Sequence, residues 1–274
     1  QSIGSEFISI VRLGSDPLVG VEAEPPVITL NGESSITTEA GFPYTDAGAT
    51  ALDSSDDEVG VTVSNTVDTS VLGEYYVTYN ANDKDGNVAN PVIRTVIVED
   101  TLSPVISLVG SANIILEANK DAIYTDEGAT AIDSFEGDLS HLVEVSGDAV
   151  NMNNPSTYII TYNCKDTTGN QANSVYRTVI VKDTFIPVIT LNGSSTVKIE
   201  AGFPYIDAGA SATDSLDGDI GVIVSNTVNT FVLGEYYVTY NANDIAGNSA
   251  HPVIRTVIVE DTLSPVISLV GSAN

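Results

Sequence analysis

Carboxylates recur along this chain in three settings whose residue types and spacing could gather oxygen ligands. The first is a short acidic group: Asp53 with Asp56, Asp133 with Glu136 and Asp138, and Asp214 with Asp217 and Asp219. The second is a D-x-x-G-N segment that begins at Asp83, Asp166 and Asp244. The third is a set of acids between repeated segments, Glu99 and Asp100, Asp183, and Glu260 and Asp261. Ca²⁺ takes about six to eight oxygen ligands, so one acidic group and a nearby linker Asp supply the right donors where two domains meet. The same residues also suit plainer work. Asp accepts turn amides, Gly supplies positive φ, and surface acids hydrate well, so the sequence leaves both readings open.

The overall charge narrows the partners. The 37 acidic residues against 9 basic ones give a formal net charge of −28. A surface of that sign repels nucleic-acid phosphates and anionic lipid and attracts cations. No apolar run approaches the roughly 20 residues of a membrane span, so this segment is not expected to insert. With Cys164 as the one cysteine, no intrachain disulfide holds the fold.

Catalysis is not expected. His141 and His251 stand at positions that do not recur in the other copies described below, and no H-E-x-x-H, paired C-x-x-C or phosphate-cradling glycine loop is present. The abundance of acid pairs follows from composition.

What must position the carboxylates is a tandem repeat. The string DTLSPVISLVGSAN occurs unchanged at 100–113 and 261–274. Over 63–113 and 224–274 the only differences are Asp68/Asn229, Ser70/Phe231, Lys84/Ile245, Asp85/Ala246, Val88/Ser249 and Asn90/His251. A more diverged copy lies between, with NCKDTTGN at 163–170 matching NANDKDGN and NANDIAGN. The repeats therefore run 24–100, 101–183 and 184–261. Residues 262–274 match the first strand of a further repeat, and 1–23 fall outside the pattern, with EFISIVRL at 6–13 a strand candidate.

Each repeat reads as about seven short strands between Gly, Pro, Asn and Asp clusters. In the first, PVITLNG, GATALD, VGVTVSN, GEYYVTYNAN and NPVIRTVIVED are the strands. Alternation in the fourth places Tyr75, Val77, Tyr79 and Ala81 on the buried face, and in the middle copy Tyr158, Ile160, Tyr162 and Cys164. The D-x-x-G-N segment closes the last hairpin. Arg94, Arg177 and Arg255 sit in the final strands and are expected to pair with a carboxylate across the sheet.

Together, D-x-G-A-x-A-x-D, D-G-D, G-x-Y-x-V-x-Y-x-A-x-D-x-x-G-N and R-x-V-x-V-x-D resemble the bacterial immunoglobulin-like repeats related to hyalin repeats. They are fullest at 207–220, 234–248 and 255–261. The resemblance implies an all-β fold of tandem immunoglobulin-like β-sandwich domains in an elongated array, and a secreted or cell-surface protein such as an adhesin or surface-layer protein. The first copy departs from the pattern, with Asp56, Asp57 and Glu58 where the third has Asp217, Gly218 and Asp219.

The expected function is a non-catalytic extracellular structural or adhesive region, stiffened by Ca²⁺ at domain junctions, its partner a surface ligand or neighbouring copies of itself. Two alternatives stand beside it. One is a surface-layer or filament subunit assembling through its terminal strands; the other is a carbohydrate-binding accessory region, with Phe231 as the aromatic to test.

Overall fold

A computed structural model describes residues 24–54, 57–268 and 270–271. The strand expected at 6–13 and the candidate ligand Asp56 lie outside the described residues.

Repeat 1 contains β1 (Val27–Leu30), β2 (Ser35–Glu39), β3 (Ala49–Leu52), β4 (Glu58–Val59), β5 (Val61–Asn65), β6 (Gly73–Ala81) and β7 (Val92–Glu99). Repeat 2 contains β8 (Val105–Leu108), β9 (Asn113–Glu117), β10 (Ala129–Asp133), β11 (Gly137–Asp138), β12 (Glu144–Gly147), β13 (Ser156–Asn163) and β14 (Val175–Lys182). Repeat 3 contains β15 (Val188–Leu191), β16 (Thr196–Glu200), β17 (Ala210–Asp214), β18 (Gly218–Ile220), β19 (Ile223–Asn226), β20 (Gly234–Asn241) and β21 (Val253–Glu260). One 3-10 turn at Ser140–Leu142 is the only helical element among the described residues.

Every repeat makes the same two sheets. In repeat 1 a three-stranded sheet runs β1-β3-β4 and a four-stranded sheet runs β2-β7-β6-β5. The second strand pairs in parallel with the last, Ser35 opposite Thr95, while the other ladders are antiparallel. This second strand escapes a sequence reading, because SITTE is rich in Ser and Thr and its partner lies some sixty positions away.

The described residues form two compact units. One holds the chain up to Ile106 with Ala131–Val143 and Cys164–Asn173; the other holds Ser107–Thr130, Glu144–Asn163 and the chain from Ser174 onward. In the first unit, Ile28 and Ala51 of one sheet pack with Val77, Tyr79, Ala81 and Val96 of the other. In the second, Ile189 and Ala212 meet Val238, Tyr240, Ala242 and Val257 in the same way. The buried set of β6 is the one that alternation selects, and Cys164 is likewise buried.

The final-strand arginines find their carboxylate in a loop and not across the sheet. Arg94, 1% exposed, pairs through Nη1 with Asp46, which also accepts hydrogen bonds from Tyr79 and Tyr44 at 2.6 and 2.9 Å. Its other donors reach the carbonyls of Glu33 and Asn31 at 3.0 and 2.7 Å, tying the turn after β1 to the core. Arg177 with Asp126 and Arg255 with Asp207 repeat the arrangement, Tyr162 and Tyr240 donating to those carboxylates. Burial acts to raise the Asp46 pKa, but the hydrogen bonds from Tyr79 and Tyr44 and the Arg94 charge outweigh it and hold the carboxyl below its ordinary value.

Residues 262–268 form no strand, although they match β8 residue for residue; Val266 and Ile267 are more than nine-tenths exposed.

Candidate metal centres at the repeat junctions

Among the described residues, two repeat boundaries carry a knot of buried aspartates, each wholly inside one of the compact units. At the first, Asp100 from the end of repeat 1 meets Asp133 and Asp166 of repeat 2, one oxygen of each lying within 4.8 Å of the others. At the second, Asp183 meets Asp214 and Asp217 of repeat 3 under the same limit. Asp100, Asp133, Asp166, Asp183, Asp214 and Asp244 are all more than nine-tenths buried.

Local structure explains how they converge. Asp133 and Asp214 end β10 and β17, and the Oδ1 of each accepts two amides of the following turn: Phe135 and Glu136 in one case, Leu216 and Asp217 in the other. Gly137 and Gly218 follow with φ of +80° and +73°, the left-handed conformation that lets the turn re-enter β11 and β18. Asp166 and Asp244 fold the last hairpin over their own carboxylates, accepting from the amide and side chain of Asn170 and Asn248.

The linker aspartates are delivered by two clamps. Asn170 Nδ2 donates to the Asp100 carbonyl at 2.9 Å, and Asn248 Nδ2 donates to the Asp183 carbonyl at 3.1 Å. The residue after each linker Asp is gripped by the glutamate that ends the second strand. Thr101 bonds Glu39, Thr184 bonds Glu117 and Thr262 bonds Glu200, each through amide and hydroxyl.

These knots are electrostatically unsatisfied. Asp100 Oδ1, Asp133 Oδ2, both oxygens of Asp183 and Asp214 Oδ2 are buried without a hydrogen-bond partner. An unpartnered buried polar atom costs about 1–3 kcal/mol, and more when charged. Burial raises the pKa of Asp100, and the charges of Asp133 and Asp166 raise it further. Burial likewise raises that of Asp183, followed by the charges of Asp214 and Asp244, while the Phe185 amide acts in the opposite direction. The donors are all carboxylate oxygens, the set a hard divalent cation takes, whereas zinc prefers His and Cys. His141 and His251 are exposed and belong to neither knot.

The other candidate ligands lie elsewhere. Asp138 and Asp219 are exposed: they pair in register with Ile132 and Thr213, one residue before Asp133 and Asp214, so strand alternation turns them to the opposite face. Asp138 instead caps Ser140. Glu136 comes close but spends both oxygens on Thr167. Asp244 borders the second knot with both oxygens held by Asn248. In repeat 1, Asp53 accepts from the Asp57 amide and Asp83 from its own hairpin. Asp261 is exposed and joins no such group among the described residues. The clamping residues Glu39, Glu117, Asn170 and Asn248 escape sequence reasoning, although a glutamate closing every second strand, as in SITTE, NIILE and TVKIE, is the visible signal.

Two-sheet sandwiches in tandem, with acids gathered at their boundaries, define an immunoglobulin-like repeat protein. The chain belongs to the family described as bacterial surface protein, Ig-like domain, which matches 28–98, 106–181 and 189–259. Hyalin of Lytechinus variegatus is 28% identical over 270 residues, covering 93% of this chain and 50% of that protein. Internalin I of Listeria monocytogenes serovar 1/2a is 30% identical over 193 residues, 67% of this chain and 10% of that protein. The chain thus spans half or less of the length of these relatives. Among solved structures, the protocadherin GammaB4 extracellular domain aligns at 16% identity with a TM-score of 0.35, over 87% of this chain and 50% of that one. That superposition is too loose to bear on function. No helix among the described residues is long and apolar enough to cross a membrane.

Proposed function

We propose that this chain is an extracellular, adhesion-type repeat region of a surface protein, whose successive repeats are fixed to one another by Ca²⁺ held at their junctions. The observation that carries the reading is the set of buried, unpartnered carboxylate oxygens on Asp100, Asp133, Asp183 and Asp214. Each knot takes one linker residue from the preceding repeat and the rest from the following one, so a cation bound there ties the two together. Asp100, Asp133 and Asp166 would hold the first ion, and Asp183, Asp214 and Asp217 the second. The ion supplies positive charge that these groups otherwise lack. The chain's own residues do the positioning: Asn170 and Asn248 hold the linker carbonyls, and the turn amides occupy one oxygen of Asp133 and Asp214 so that the other faces the knot. Family membership and the likeness to hyalin and internalin I support the surface assignment.

Small-angle scattering of the purified chain in Ca²⁺ and in chelator, at matched ionic strength, tests this. A stiffer monomer in Ca²⁺ is the expected result. Identical profiles would return the acids to the role of turn caps, and Ca²⁺-driven growth of the particle would favour the lattice or filament reading.

A further inference from the structure

The two knots are built on the same plan but do not offer a cation the same oxygens, and the difference traces to two adjacent residues. After the hairpin aspartate, repeat 2 has Thr167 and Thr168 where repeat 3 has Ile245 and Ala246. At the first junction the Thr167 hydroxyl donates to Glu136 Oε1 at 2.6 Å, and its amide spans both oxygens at 3.1 and 3.3 Å. At the second, Ile245 has only its amide to give, and it holds Asp217 Oδ2 at 2.8 Å. Asp217 is the third carboxylate of the second knot, whereas at the first Glu136 stays out and the third place falls to Asp166.

The next residue acts on the linker carboxylate. Thr168 Oγ1 lies 3.3 Å from Asp100 Oδ2 and 2.9 Å from Asp166 Oδ1, its one proton shared between the two carboxylates. Ala246 has no hydroxyl, and both oxygens of Asp183 are left without a partner. Ile245 and Ala246 also line a surface cleft beside Asp183 and Asp217, which gives an ion a path to them.

We infer that this residue pair sets how many unpartnered carboxylate oxygens each junction presents, making the Asp183 junction the tighter of two unequal Ca²⁺ sites. The inference rests on the Ca²⁺ reading above and adds the determinant of affinity. Affinity of oxygen-ligand Ca²⁺ sites is tuned by the number of charged ligands and by site rigidity.

The test is calorimetric titration of the full chain with CaCl₂. Two classes of site are expected, separated by about tenfold in affinity. Asp214→Asn should abolish the tighter class and Asp133→Asn the weaker. The paired change Thr167→Ile with Thr168→Ala should tighten the weaker class several-fold, and Ile245→Thr with Ala246→Thr should loosen the tighter one by a similar factor. All four positions are exposed turn residues, so these variants keep the fold. Loss of the tighter class in Asp133→Asn, or exchanged pairs that leave the isotherm unchanged, would overturn the inference while leaving Ca²⁺ binding intact. No heat of binding at either junction would overturn it together with the Ca²⁺ reading.

Discussion

Two groups of aspartates in this chain differ in what surrounds their oxygens. Asp46, Asp126 and Asp207 each sit against an arginine and two tyrosines inside one sandwich, and their carboxyls are held below the ordinary pKa. Asp100 and Asp183 sit among other carboxylates, with pKa values pushed up and with Asp100 Oδ1 and both oxygens of Asp183 unpartnered. The first arrangement is complete with the chain's own atoms. The second leaves carboxylate oxygens without a partner, and the proposed Ca²⁺ sites rest on those oxygens. The neighbours of the carboxyl therefore separate the two groups: arginine and tyrosine donors in one, other carboxylates in the other.

The largest expected effect breaks the complete arrangement. Asp207→Ala leaves Arg255, 1% exposed, without its carboxylate and should destabilise repeat 3 by about 3–5 kcal/mol in urea unfolding, equally with Ca²⁺ or chelator. A loss that depended on Ca²⁺ would erase the distinction between the two groups.

The opposite behaviour is expected at the junction. Asp183→Asn removes a repelled, unpartnered charge, so it should stabilise the metal-free chain by on the order of 1 kcal/mol while diminishing the gain from Ca²⁺. If the variant weakened the chelated protein instead, Asp183 would belong with the scaffold acids.

Acid sharpens the comparison further. Because the folded pKa values of Asp46, Asp126 and Asp207 lie below the unfolded value of about 3.9, their stabilisation is fully present above that value. It is lost as pH falls through the lower folded values. A circular-dichroism titration in chelator should show cooperative unfolding on that limb, and Asp207→Ala should remove the contribution of repeat 3.

The smallest effect is expected from Lys198→Ala. The Lys198–Glu260 pair, at 3.0 Å, is 64% exposed on the lysine side, and such pairs contribute about 0–1 kcal/mol. A midpoint shift in urea larger than that of Asp183→Asn would show that surface pairs outweigh the junctions.

Much of the architecture can be read along the chain because it is local. Alternation in GEYYVTYNA selects Val77, Tyr79 and Ala81 as core, and D-x-x-G-N specifies a hairpin closed on its own aspartate. What escapes is non-local. Strand β2 depends on a parallel partner beyond the intervening hairpins, and Arg94 reaches back 48 residues to a loop aspartate instead of across its sheet. The same limit applies to the junctions. Spacing identifies Asp133 and Asp214 as candidates but also Asp138 and Asp219, which the strand register turns outward. The contrast between Thr167 and Ile245 is plain in the sequence, yet its consequence needs the 31-residue reach to Glu136.

The most direct test of Ca²⁺ at the junctions is thermal unfolding of the intact chain in Ca²⁺ and in chelator at matched ionic strength, beside the double variant Asp133→Asn/Asp214→Asn. At a hundred times the dissociation constant, binding adds about 2.7 kcal/mol per site, so the parent should melt several degrees higher in Ca²⁺. The double variant should melt alike in both. Coincident melting curves for the parent, or an undiminished Ca²⁺ shift in the double variant, would contradict the account.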